Sequence, residues 1–291
     1  MSTLNKQIWV NQLMKNFYPS ATFLNYARNF SAMAEYDIIN MADAGFDPDV
    51  LINNTTYPIV IKERTDTPLS FELDLFQTEN TLVRYPDSVE LSYDKMESVL
   101  FGHRSKLQYE TARKAAHAFA PQEDTVNTPV IPTTGDDNGD GYKRVKVEDI
   151  LKLKRRYDEM GTLPENRYLV LDPRHTEDLI LHDLKSFKDI TDFVNGVPKR
   201  FAGFNVLEFS KNPEYDATTM EKIAFDAVNG NKTFCSFAFS SDEVMKADGT
   251  LKMFERKDDP ELRGTVIGFD KRFIALPIRN KAIGAIVSTK I

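Results

Sequence analysis

The segment at residues 94–120, DKMESVLFGHRSKLQYETARKAAHAFA, constrains this chain more than any other. Met96, Val99, Leu100, His103 and Leu107 recur at the three- and four-residue intervals of one helix face. The second half is rich in alanine, the best helix former. Asp94 followed by Glu97 resembles a capping box, with Asp in place of Ser or Thr, and Pro121 stops the run. A helix of this length is a rod of about 40 Å. It needs partners along its whole length, so it is predicted to be a structural spine.

What precedes the rod is poorly suited to stand alone. Over residues 1–56, Ile8, Leu13 and Phe17 suggest one short helix, and Phe23, Tyr26, Phe30 and Met33 a second. Gly45, Pro48 and Pro58 then interrupt the chain. Many large apolar residues with few regular elements describe an arm laid on another surface. Residues 59–93 change to period two: Ile59 and Ile61, then Leu69, Phe71, Leu73 and Leu75, then Val89, Leu91 and Tyr93. That is the pattern of strands with one apolar face, confined to edges by Pro68 and Pro86. A ribbon of so few strands must lean on something else.

After the rod, residues 121–145 carry three prolines and three glycines and read as loop. A helix is predicted at about 147–160, with Val147, Ile150, Leu151, Leu153 and Tyr157 as its apolar face. RYLVLD (167–172) reads as a buried strand, and Pro173 opens a helix to about Leu184 with Leu179, Ile180 and Leu184 inward. FNVLEFS, TFCSFAFS, TLKMFER and FIALPIRNKAIGAIVST supply further strands, with Gly249 marking a turn. The fold class is α+β in mixed order.

Composition narrows the function. Lys and Arg number 37 against 44 Asp and Glu, a net charge of −7, so the whole surface is not built to grip nucleic acid. The one cysteine, Cys235, lies in an apolar run and reads as a small buried hydrophobe, consistent with a reducing compartment. No signal peptide is visible, and no stretch approaches the ~20 apolar residues of a membrane helix. The chain lacks G-x-S-x-G, the P-loop, G-x-G-x-x-G and H-E-x-x-H, so neither catalysis nor a cofactor is predicted. His103 and His117 stand fourteen residues apart on the long helix and cannot share a metal there. His175 and His182 are spaced seven residues apart on one helix, too far to converge, and read as part of a solvated face. The basic helix at 147–160 is interleaved with Glu148, Asp149, Asp158 and Glu159, which favours a salt-bridged surface.

TGDDNGDGY opens like a calcium loop, with Asp136, Asn138 and Asp140 alternating before Gly141. Counted from Asp136, the twelfth position is Val147, and Glu148 falls one residue late. The preceding VNTPVIPTT cannot form the first flanking helix. These three residues are weak metal candidates, and a polar turn is the preferred reading.

The order of parts resembles the Hong Kong 97 fold of tailed-phage major capsid proteins. The residues carrying the resemblance are FDPDVLINNTTYPIVI leading into the ribbon, ELDLFQTENTLVRYPDSVELSYDKMESVL leading into the helix, and RYLVLDPRHTEDLI later. The resemblance implies an N-terminal arm (1–56), an extended loop (57–93), a peripheral domain with the spine helix (94–125), an axial domain (126–239), and peripheral strands returning over 240–291. It implies a virion capsid subunit, made in the host bacterial cytoplasm, that assembles with itself into pentamers and hexamers around double-stranded DNA. A separate scaffolding protein, a portal and decoration proteins are its implied partners. Lys62 is the only lysine in the ribbon, and nothing identifies an acceptor, so no cross-link is predicted. Phe17, Phe23, Tyr26, Phe30, Leu69, Phe71, Leu73 and Leu75 are expected at subunit contacts, with Leu73→Asp expected to block assembly of a folded subunit. The alternatives are an encapsulin-type compartment enclosing enzymes, with the same fold, and a calcium-binding module.

Overall fold

A computed structural model of the protein describes residues 23–35, 37–43, 50, 52–59, 61, 67–84, 88–182 and 199–291. Its organising element is helix α1, Ser88–Phe119, 32 residues long, or roughly 48 Å at the α-helical rise. Leu100, His103, Leu107, Thr111, Ala115 and Phe119 are buried along it, following the three- and four-residue spacing of one face. The helix begins six residues before Asp94, so Val89, Leu91 and Tyr93 are helical and the expected strand and Asp94 cap are absent. Three alternating residues cannot outweigh the low cost of propagating a helix already nucleated.

Two sheets meet α1 along its length. The first contains β1 (Arg28–Asn29), β13 (Val244–Asp259), β14 (Gly264–Pro277) and β5 (Asp74–Gln77) in that order, with β6 (Thr81–Arg84) also on β14. Here Leu100 and Leu107 of the helix pack with Met253, Ile267 and Phe269. The second sheet runs β7 (Val130–Pro132), β15 (Ile283–Val287), β12 (Lys232–Ser240), β8 (Arg167–Leu171), β10 (Phe204–Glu208) and β9 (Lys199–Phe201), with β11 (Glu214–Asp216) on β12. The alanine-rich end of α1 lies on one face of it, where Ala112, Ala115, Ala116 and Phe119 meet Phe237, Phe239 and Val287. Small side chains let the helix approach the sheet closely there.

Helices α2 (Val147–Glu159) and α3 (Pro173–His182) cover the other face, through Ile150, Leu153, Tyr157 and Leu179 packed on Leu169, Val206, Ala238 and Ile286. Coverage on both faces explains why β15 is buried at all five residues. Cys235 is fully buried here, its Sγ 3.1 Å from the Pro213 carbonyl. A third sheet joins β2 (Ala34–Glu35), β3 (Ile38–Asp43) and β4 (Thr67–Glu72).

Several sequence expectations are corrected. Phe23–Tyr26 is a single 3-10 turn leading into β1, not a helix continuing to Met33. Residues 52–59 and 61 contain no strand, and Val60 and Lys62 lie outside the described residues. Leu151 is exposed, because it falls a residue off the stripe formed by Ile150, Leu153 and Tyr157. The 240–291 segment divides: β13 and β14 belong to the first sheet and β15 to the second. Gly249 lies inside β13 at a register shift, not at a turn. A Cβ there would sit 2.6 Å from Leu73 Cδ2 and 2.7 Å from Arg272 Cβ, so close approach explains the glycine. Ile8, Leu13, Phe17 and Leu184 lie outside the described residues.

Candidate assembly surfaces

The residues expected at subunit contacts divide sharply by environment. Phe23 is 2% exposed, and its ring meets Phe119, Phe209 and Phe237 edge-on at 5.4–5.9 Å. Tyr26 stacks on Tyr168 at 4.5 Å. The Phe30 amide donates to the Lys246 carbonyl at 2.9 Å, and its side chain packs against the cluster formed by Ile39, Leu73, Met245, Ala247 and Ile274. Phe23 is therefore buried within its own chain, and Tyr26 and Phe30 are partly buried against it. Parallel pairing of Arg28 with Met245 and of Asn29 with Lys246 supplies the backbone anchor.

The predicted face of Leu69, Phe71, Leu73 and Leu75 is also broken. Leu73 is 1% exposed and Leu75 is 45% exposed, although both should point the same way along one strand. The chain changes sheets between them: β4 pairs with β3, and β5 pairs with β14. Leu73 sits at the switch, its amide bonded to the Asp37 carbonyl at 2.9 Å and its carbonyl accepting from Arg272 Nη1 at 3.0 Å. Phe71 packs beside it, and Leu69 is half-buried on β4. Of the four, Leu75 is the exposed one.

Among the described residues, exposed large apolar side chains are most concentrated over residues 50–61. Val50, Ile52, Tyr57, Ile59 and Ile61 are all more than half exposed, with Ile61 at 95%. Phe254, 52% exposed, projects from β13 on the opposite side from buried Met253. The signal was present in DVLINNTTYPIVI, where large apolar residues sit among turn formers and no regular element can bury them. Reading Ile59 and Ile61 as a strand concealed it. Exposed apolar side chains in such a run are candidates for a contact surface.

The polar loop is a closed hairpin. Gly135 and Arg144 pair through their backbones, and Asn138 accepts from the amides of Asp140 and Tyr142 at 2.9 and 3.2 Å. Asp137 accepts from the Gly139 amide at 2.8 Å, and Gly139 and Gly141 adopt positive φ. The side-chain oxygens of Asp137 and Asn138 thus serve the turn. The base is held by buried Asp149, which accepts from the Thr134 amide and hydroxyl and from the Lys146 amide. Among the described residues no group of three or more His, Cys, Asp or Glu could hold a metal ion. On α2, Lys152 pairs with Asp149, Lys154 with Asp158 and Arg156 with Asp124, giving the salt-bridged surface expected.

His175 is the largest departure among polar residues. It is fully buried, with Nδ1 2.7 Å from Ser236 Oγ and Nε2 2.7 Å from Ser288 Oγ. Burial pushes its pKa down to about 4. Its position was legible: it lies four residues before Leu179, which was expected inward, and so shares that residue's phase. The His182 side chain lies outside what is described.

No family model matches the sequence, and no curated protein matches it. Solved structures do match. The capsid of cyanophage P-SCSP1u aligns with TM-score 0.63 and 15% identity over 90% of this chain and 86% of that chain. The capsid of an empty GTA particle aligns with TM-score 0.63 and 11% identity over 93% and 97%. A virus-like particle from Pyrococcus furiosus aligns with TM-score 0.54 and 12% identity over 95% and 98%. The chain has the Hong Kong 97-type capsid fold.

Proposed function

We propose that this chain is a major capsid protein, a non-enzymatic shell subunit that forms pentamers and hexamers of an icosahedral particle around double-stranded DNA. The observation that carries this reading is the match to capsid subunits over at least nine-tenths of the chain. The exposed apolar series from Val50 to Ile61 supports it, since a shell subunit keeps such surface for its neighbours. In this reading the first sheet with the N-terminal half of α1 is the peripheral domain, and the second sheet with α2 and α3 is the axial domain. Residues 50–61 and Leu75 lie on an adjacent subunit, the same contact repeating around each closed ring. A scaffolding protein and a portal are the further partners, with decoration proteins on the outer surface.

Electron microscopy of the purified chain tests the proposal. Monodisperse shells or capsomer rings are the expected result, and a monomer that stays a monomer with added scaffolding protein overturns it. The nucleic acid content of particles recovered from cells separates the two cargo classes. DNA inside supports the phage capsid, and a co-purifying enzyme without DNA replaces it with the encapsulin-type compartment.

A further inference from the structure

The C-terminal end of α1 is held by Lys222, Ile223, Phe225 and Asp226, from the segment that links β11 to β12. Residues 222–226 follow β11, where Tyr215 bridges to Lys222 and the Ile223 amide donates to the Glu214 carbonyl at 3.0 Å. From there they run along the last turns of the helix. Lys222 Nζ donates to the carbonyls of His117 and Ala120 at 2.9 and 2.6 Å, satisfying acceptors that a helix end leaves open. The backbone of Lys222 exchanges bonds with Gln122, its amide donating to the Gln122 carbonyl and its carbonyl accepting from Gln122 Nε2, both at 2.8 Å. His117 Nε2 donates to the Ile223 carbonyl at 2.8 Å. Arg113 lies 4.4 Å over the Phe225 ring and bonds Asp226 at 2.6 Å. Met220, just before the segment, and Asp226, its last residue, lie in the left-handed region at φ 57° and 60°, a cost sustained by the surrounding bonds.

We propose that residues 222–226 are a proton-operated strap, closed on the end of the spine helix when His117 is neutral and released when His117 takes up a proton. The geometry supplies the reason. The groups around His117 are mostly cationic: Arg113 and Lys114 from its own helix and Lys222 from the strap. Lys211, Glu214, Asp226 and Lys232 line the same cavity of about 330 Å³, where Lys232 pairs with Glu214 and Asp226 with Arg113. The cavity's carboxylates, Glu214 and Asp226, are thus already engaged, and a positive charge at His117 would be added to those of Arg113, Lys114 and Lys222 with neither carboxylate free to pair with it.

The titration behaviour agrees in sign. Burial first, and then Lys222, Lys114 and Arg113, lower the His117 pKa, against the opposing bond to Ile223. The strapped form therefore binds the proton less tightly than the open form. Closure is favoured at and above the ordinary histidine range and is lost as pH falls through the lowered value. Lys222 acts in the same direction at higher pH, since burial lowers its pKa to about 8.

Hydrogen–deuterium exchange on the full chain tests the strap, with amides of 113–122 and 220–228 followed at about pH 7.5 and about pH 5 after correction for intrinsic exchange. Protection in both segments is expected to fall by more than about twofold at the lower pH, while β12 and β15 keep theirs. His117→Gln, which retains a donor for Ile223 and does not titrate, is expected to show less than about a twofold change. Unchanged wild-type protection, or the same loss in His117→Gln, overturns the proposal. Should that variant fail to fold, NMR titration of the wild-type His117 imidazole decides. Proton uptake over the range in which protection is lost supports the strap, and uptake over a different range refutes it.

Discussion

His175 shows how one residue ties the second sheet together. Its two ring nitrogens reach Ser236 on β12 and Ser288 just beyond β15, so a helix is pinned to two strands by a neutral imidazole. With its pKa lowered from the ordinary 6.5 to about 4 by burial, the unfolded chain takes up the proton first. Stability is therefore present above about pH 6.5 and is lost as pH falls toward 4, by on the order of 3 kcal/mol. Urea midpoints measured across that range should fall steadily in the wild-type chain, and His175→Gln should flatten the slope at a cost in stability at neutral pH. Leu73 makes the complementary point. Because it is buried where the chain changes sheets, Leu73→Ala should destabilise the subunit itself by about 2–5 kcal/mol in denaturant melts. Leu73→Asp should prevent folding, so it cannot serve as an assembly variant.

At the scale of elements, the regular pieces were legible in the sequence and the junctions were not. Helices α2 and α3 and strand β8 announce themselves by periodicity over enough residues to decide between 3.6 and 2.0. Leu69 to Leu75 also alternates without a break, yet it spans two sheets, because local pattern carries no record of which strand pairs with which. Gly249 misled for the same reason: a glycine at a crowded bulge and one at a turn look alike until the facing side chains are known. Gly249→Ala drives a methyl into Leu73 and Arg272, and should cost about 1–3 kcal/mol in thermal or urea unfolding. Little change would mean that the bulge relaxes freely. In α1, the alanines that looked like mere helix propensity are the places where the second sheet comes closest.

For the whole molecule, what the sequence conveyed was an order of parts, and the exposed residues proposed for assembly emerged only once the core was accounted for. Ile52→Asp combined with Ile61→Asp should leave the melting temperature of the isolated subunit unchanged within error, since both side chains already face water. Shells or rings should disappear from the same preparation in sedimentation. Intact shells from the double variant would remove residues 50–61 from the contact. The position of β15 has a further consequence, in time instead of space. It is an interior strand of the second sheet, lying between β7 and β12, yet it comes after all the other described strands in chain order. Until residues 283–287 have left the ribosome, β12 lacks its neighbour on that side, β7 has no strand to join, and Phe237 and Val287 cannot complete their cluster. The second sheet thus closes only after the other described strands have been made. In the proposed shell, a chain still missing residues 283–287 lacks the strand that joins β7 to β12.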